Sequence, residues 1–121
     1  MKDFERLQSR TKRFALRIIT LYRSLPKTDE ARILGKQLLR SGTSVGANYR
    51  AACRARSRAE FVAKLGVVLE EADESAFWLD LMQEAGIFPE EKLHEIIDES
   101  NELVSIFVAS VRTSKGFTSS I

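Results

Sequence analysis

The sequence predicts an all-α chain, folded as an antiparallel up-and-down four-helix bundle, on three observations. Only two Pro and six Gly interrupt its 121 residues. Apolar residues recur at three- and four-residue spacing in four separate stretches, the period of a helix with one buried face. The connections between them, at about 25–29, 55–58 and 86–89, are short, and short connections make sequential helices antiparallel neighbours. At 44% apolar and 30% charged, the composition is that of a globular domain. The bundle is expected over 1–115, with a flexible tail at 116–121 that has no apolar seam to join.

The first helix is expected from Asp3 to Ser24. Phe4, Leu7, Phe14, Ile18, Leu21 and Leu25 keep the spacing, with Thr11 in the one polar slot. Pro26 ends it, because proline lacks an N–H and disfavours helix in the preceding residue. A basic stripe, Arg6, Arg10, Arg13 and Arg17, lies a quarter turn from that seam, with Lys12 nearby. Acidic residues in this helix occur only at Asp3 and Glu5, so such a stripe calls for an anion outside the helix.

The second helix starts at Thr28 or Asp29, both good N-caps. Its seam is Ala31, Leu34, Leu38, Val45, Tyr49 and Ala52. The middle, SGTSVGANYRAAC, is unusually small. It fits either a break at Gly42–Thr43–Ser44 or a continuous helix that another helix approaches closely. The seam keeps its phase across the stretch, which favours continuity. Asn48, with Ser44 one turn before it, is expected to be a part-buried amide that fixes register. Arg50 and Arg54 occupy the far face, and Arg54, Arg56 and Arg58 form a basic turn before the next helix.

The third stretch, Ser57 to Met82, opens with a capping box. Ser57 should accept from the Glu60 N–H while Glu60 reaches back to the Ser57 N–H. Glu60 and Lys64 form an i,i+4 pair of the favourable orientation. Phe61, Leu65, Val68, Ala72, Leu79 and Met82 supply one seam, but Val67, Phe77, Trp78 and Leu81 point elsewhere. A helix apolar over most of its circumference is usually covered on several sides. Val67, Phe77, Trp78 and Leu81, with Glu71 and Glu74 on the flank, are therefore the candidate interface to another copy of the chain.

Gly86 reads as the left-handed residue after this helix and Pro89 as the first position of the next. The fourth helix should run to about Thr113. Leu93, Ile96, Ile97, Leu103, Val104, Phe107 and Val111 form its seam, Ser100 fills the polar slot, and Glu91, Glu95, Asp98 and Glu102 lie opposite.

The net charge of +2 hides an asymmetry. Residues 1–58 hold fifteen Lys/Arg and four Asp/Glu, whereas residues 59–121 hold four and thirteen. Such segregation suits either a nucleic-acid partner for the basic half or attraction between the halves of neighbouring subunits. Cys53 is the only cysteine and His94 the only histidine. No intrachain disulfide or thiol zinc cluster can form, and Cys53 reads as a packed, inert residue. Glu91 and His94 give a single Glu-x-x-His, whereas a di-metal carboxylate bundle uses two. There is no phosphate loop, zincin pair or nucleophile elbow. A binding protein is expected rather than an enzyme, with no cofactor, metal or small-molecule substrate. No apolar run approaches a membrane span, and the charged start is no signal peptide, so a cytoplasmic location is expected.

The segments SVGANYRAA, SRAEFVAKLGVVLEEADESAFWLDLM and ELVSIFVASVRTSK resemble the small four-helix-bundle family of large-subunit ribosomal RNA intervening sequences. Matching positions include Ser44, Asn48, Ser57, Glu60, Lys64, Glu71, Glu74 and Trp78. The resemblance implies a ring-shaped homopentamer with no enzymatic activity. It also implies likeness to the accessory variability protein of diversity-generating retroelements, a basic, nucleic-acid-binding bundle. Two functions are then expected to compete. One is RNA or DNA binding through Arg6, Arg10, Lys12, Arg13 and Arg17, with Arg50, Arg54, Arg56 and Arg58 as a second patch. No aromatic residues interleave these patches to stack on bases. The other is a scaffolding homo-oligomer whose basic half pairs with the acidic half of its neighbours.

Overall fold

A computed structural model describes residues 2–116, and these form four helices with no strand among them. The helices are α1 (Lys2–Ser24), α2 (Asp29–Cys53), α3 (Arg58–Glu84) and α4 (Glu90–Ser114). Helix α1 packs on α2, α2 on α3 and α3 on α4, while α4 returns to α1 only loosely. The result is an up-and-down bundle open along one seam, with α1 and α3 diagonal to each other. Residues 117–121, most of the expected tail, lie outside the described residues.

The helix ends follow local chemistry. Thr28 caps α2, its hydroxyl accepting from the Ala31 N–H at 3.2 Å. Ser57 caps α3 by accepting from the Glu60 N–H at 3.1 Å. The reciprocal half of the expected capping box differs: Glu60 Oε1 accepts from the Arg56 N–H at 3.0 Å instead of Ser57. The turn in front of α3 presents that N–H, and the Arg56 guanidinium, 3.9 Å away, adds its charge. Glu60 therefore turns back to Arg56 and not forward to Lys64.

Helix α3 ends in a Schellman motif. The N–H of Gly86 donates to the Gln83 carbonyl at 3.1 Å and that of Ile87 to the Met82 carbonyl at 3.0 Å. Gly86 takes φ 69°, which a side chain would strain. Pro89 stands one position before the expected one, as the N-cap residue of α4, where its missing N–H still costs no helical hydrogen bond.

The core runs the length of the bundle through Phe14, Ile18, Leu38, Leu65, Leu79 and Phe107, all essentially inaccessible. Helix α2 is continuous through its small stretch. The reason lies in how closely α1 approaches. A Cβ on Gly42 would stand 2.8 Å from Ile18 Cγ1, and one on Gly46 would stand 3.3 Å from the Thr11 carbonyl oxygen. Small residues at this face let two backbones nearly touch. The buried hydroxyls are satisfied within the bundle. Thr11 donates to the Leu7 carbonyl at 2.8 Å, and Ser100 to the Ile97 carbonyl at 2.9 Å. Ser41 and Ser75 are hydrogen-bonded to each other across α2 and α3 at 3.0 Å. Phe4 departs from its expected place in the seam. It is 50% exposed at the start of α1, with its ring edge-on to Phe61 at 6.2 Å.

Candidate nucleic-acid interface

The basic stripe of α1 is not left without anions. Arg10 reaches across the open seam to α4, with Nε 2.8 Å from Glu99 Oε2 and Nη2 2.9 Å from Glu99 Oε1. The same Nη2 donates to Glu102 Oε1 at 2.5 Å. These carboxylates push the Arg10 guanidinium pKa well above its ordinary value, chiefly through the Glu99 hydrogen bonds. Arg17 stands 3.8 Å from Glu95, and Arg6 stands 3.8 Å from Asp3. Helix α4 of the same chain thus answers much of the stripe, by the very acidic face that could have met another subunit. Glu99, the strongest partner, lies one turn beyond Glu95 and could have been read from that spacing.

What remains is arranged differently from either sequence patch. A groove of about 590 Å³ between α1 and α2 is lined by Lys12, Arg50 and Arg54 together with the small residues Ala15, Gly46 and Ala47. None of the three cations has an ion partner among the described residues. No carboxylate lines the groove. The close approach that Gly42 and Gly46 permit is what sets α1 and α2 near enough for Lys12 to share a groove with Arg50 and Arg54. Arg56 and Arg58 belong elsewhere. Arg56 faces Glu60, and Arg58 Nη2 donates to the Ser114 carbonyl at 2.5 Å. Arg13 is exposed on the other side of α1, toward the open seam.

One expectation about aromatic residues is corrected by the fold. Phe4 and Phe61 line a cleft at the open end of the seam together with Arg6, Arg10 and Arg58. Phe4 and Phe61 are far apart in sequence, and only the fold brings their rings together in one cleft with Arg10.

The six positions singled out on α3 split into three groups. Phe77 is 57% exposed. Val67 and Leu81 are half-buried, and Trp78 packs partly against the core. Trp78 Nε1 donates to Glu74 Oε2 at 3.0 Å, and its ring meets Phe77 edge-on at 5.1 Å. Glu71 and Glu74 turn to α2, where both pair with Arg40, a residue outside both basic patches. The Trp78 indole N–H, then the Arg40 guanidinium, holds the Glu74 carboxyl below its ordinary range against the opposing effect of desolvation. Asn48 Nδ2 donates to the Ser44 carbonyl at 2.9 Å, so this half-buried amide is satisfied within its own helix. Lys64 is half-buried on α3.

His94 is exposed and 3.5 Å from Asp98. Among the described residues no three His, Cys, Asp or Glu side chains gather as a metal site, and no helix is long and apolar enough to cross a membrane.

Fold and surface together define a small up-and-down helical-bundle protein with a segregated charge exterior. The 23S rRNA-intervening sequence protein family model matches residues 5–109, and the chain belongs to that family. Among solved structures, it is similar to a protein of unknown function from the S23 ribosomal protein family of Bacteroides thetaiotaomicron. The identity is 36% over 87% of this chain and 97% of that one, with a TM-score of 0.80. No curated protein matches the chain.

Proposed function

We propose that the chain works by binding and not by catalysis, holding the phosphate backbone of an RNA in the groove between α1 and α2. The observation that carries this reading is the convergence of Lys12, Arg50 and Arg54 with no carboxylate among the lining residues. The family's name refers to a 23S rRNA intervening sequence, which supports RNA as the polyanion. Phosphate contacts of this kind position a nucleic acid without reading its sequence. With three contacts on a single strand, affinity falls roughly 20-fold between 50 and 200 mM salt. Fluorescence anisotropy with a labelled RNA of arbitrary sequence tests this. Lys12→Glu combined with Arg54→Glu should abolish binding, while Arg10→Gln, whose guanidinium is committed to Glu99, should leave it. Equal affinity in the double variant removes the proposal.

A second reading, a homo-oligomeric scaffold, is favoured by Phe77, a large ring left on the outer surface of a long helix. Self-association also suits the ring-shaped assembly that the family resemblance implies. The two readings are compatible, because the α1–α2 groove and Phe77 lie on different faces.

A further inference from the structure

We infer that Phe77 of one copy docks into the groove between α1 and α4 of a second copy, joining them head to tail. The inference rests on the self-association reading above and names the two surfaces that would meet.

The first surface is a stripe on the outer face of α3. Glu70, Asp73, Phe77, Asp80 and Glu84 follow one another at three- and four-residue spacing, and all five are exposed. The four carboxylates have no ion partner among the described residues. An apolar ring therefore stands inside an acidic collar.

The second surface is the reverse. The upper part of the open α1–α4 seam is a groove of about 400 Å³ whose apolar wall is Leu16, Leu21, Phe88 and Ile96. Leu16 is 56% exposed there. The rim carries Arg13, Arg17 and Lys92, and no carboxylate lines the groove. Arg17 has only the exposed Glu95 at 3.8 Å, while Arg13 and Lys92 have no ion partner among the described residues. An apolar hollow therefore stands inside a basic collar.

The ring cannot fill the groove of its own chain, because Phe77 stands exposed on α3, which is diagonal to α1 across the bundle. Two copies cannot meet stripe to stripe either, since that would set carboxylates against carboxylates. Stripe to groove is the pairing that covers both apolar patches and matches both collars. Such an interface is heterologous: a copy whose ring is engaged still offers its own groove.

The test uses the full chain and two exposed substitutions, Phe77→Glu and Leu16→Glu, with light scattering for mass and circular dichroism for folding. The unsubstituted chain should form particles larger than the 13.7 kDa monomer. Each variant alone should be a folded monomer. An equimolar mixture should form a dimer, because one variant keeps an intact groove and the other an intact ring. Asp80→Lys should weaken self-association of the otherwise unsubstituted chain at least tenfold. A monomeric unsubstituted chain overturns both this inference and the self-association reading. Oligomers that survive either glutamate substitution, or two monomeric variants that do not recombine, overturn the inference alone.

Discussion

Arg10 clamps Glu99 with two nitrogens, at 2.8 and 2.9 Å, across the open seam where α1 and α4 approach only loosely. Side-chain exposures of 28% and 18% set the pair between a solvated surface bridge and a buried one. Planar two-point geometry makes it stronger than the median surface pair, though water still screens it. Arg10→Gln and Glu99→Gln should each lower unfolding free energy by about 1 kcal/mol. Their coupling in a double-mutant cycle, followed by urea melts, should account for most of either loss. Strict additivity would show that the clamp contributes nothing.

Two glycines should respond oppositely to the same substitution. Gly42→Ala places a methyl 2.8 Å from Ile18 Cγ1, inside a packed interface. Alanine is favoured over glycine in a helix by about 1 kcal/mol, but overpacking costs about 1–3 kcal/mol, so the net effect is a loss. At Gly66, on the outer face of α3, an added Cβ meets nothing within 4 Å. Gly66→Ala should raise stability by about 0.5–1 kcal/mol. Thermal melts of the two variants, shifted to opposite sides of the parent, would bear this out.

The Ser41–Ser75 contact gives a third test. Ser75 Oγ also donates to the Glu71 carbonyl at 2.8 Å, and both serines are fully buried. Removing one hydroxyl takes away the other's cross-helix partner, at about 1 kcal/mol. It leaves the other only a carbonyl of its own helix, Glu71 for Ser75 and Leu38, at 3.4 Å, for Ser41. Removing both loses that one shared bond once. The double alanine variant should therefore be no less stable than the worse single one. Additive losses in chemical denaturation would contradict the pairing.

Acid should weaken the bundle partly through Glu74. Its folded pKa lies below the ordinary glutamate value. The contribution of its charged form is therefore complete above the unfolded pKa, about 4.3, and is lost as pH falls through the lower folded value. The stability gap between the parent and Glu74→Gln should be constant near neutrality and close progressively below about pH 4.3. A gap that widens on acidification would reverse the sign.

The bundle was legible because its seams are regular. Phe14, Ile18, Leu38, Leu65 and Phe107 stand at helical spacing, and burial needs no more than that. The charged surface was much less so. Helical spacing shows that Arg6, Arg10, Arg13 and Arg17 share a face, yet only the fold shows that Glu99 sits opposite Arg10 while Lys12 turns toward Arg50. Periodicity fixes angle about one helix axis, whereas ion pairing depends on the register between two. The Ser41–Ser75 pair escaped for a related reason: each lies in its own helix's seam, between Leu38 and Val45 and between Ala72 and Leu79, but only the fold sets the two at the same height. Glu60 shows the smallest error of this kind, one residue in the choice of backbone partner, set by the turn before α3.

The loose seam has a consequence for how the molecule breathes. Helices α2 and α3 each have two packed neighbours, whereas α1 and α4, at the edges of the open seam, have one each and are fastened to one another largely by ions. Regions held by few apolar contacts open at lower free energy than the rest. Amide hydrogens of α1 should therefore exchange ahead of those in α3, and added salt should widen the difference by loosening the fastening. The chain behaves as a row of four helices rolled almost shut, and the clasp between its two edges is electrostatic.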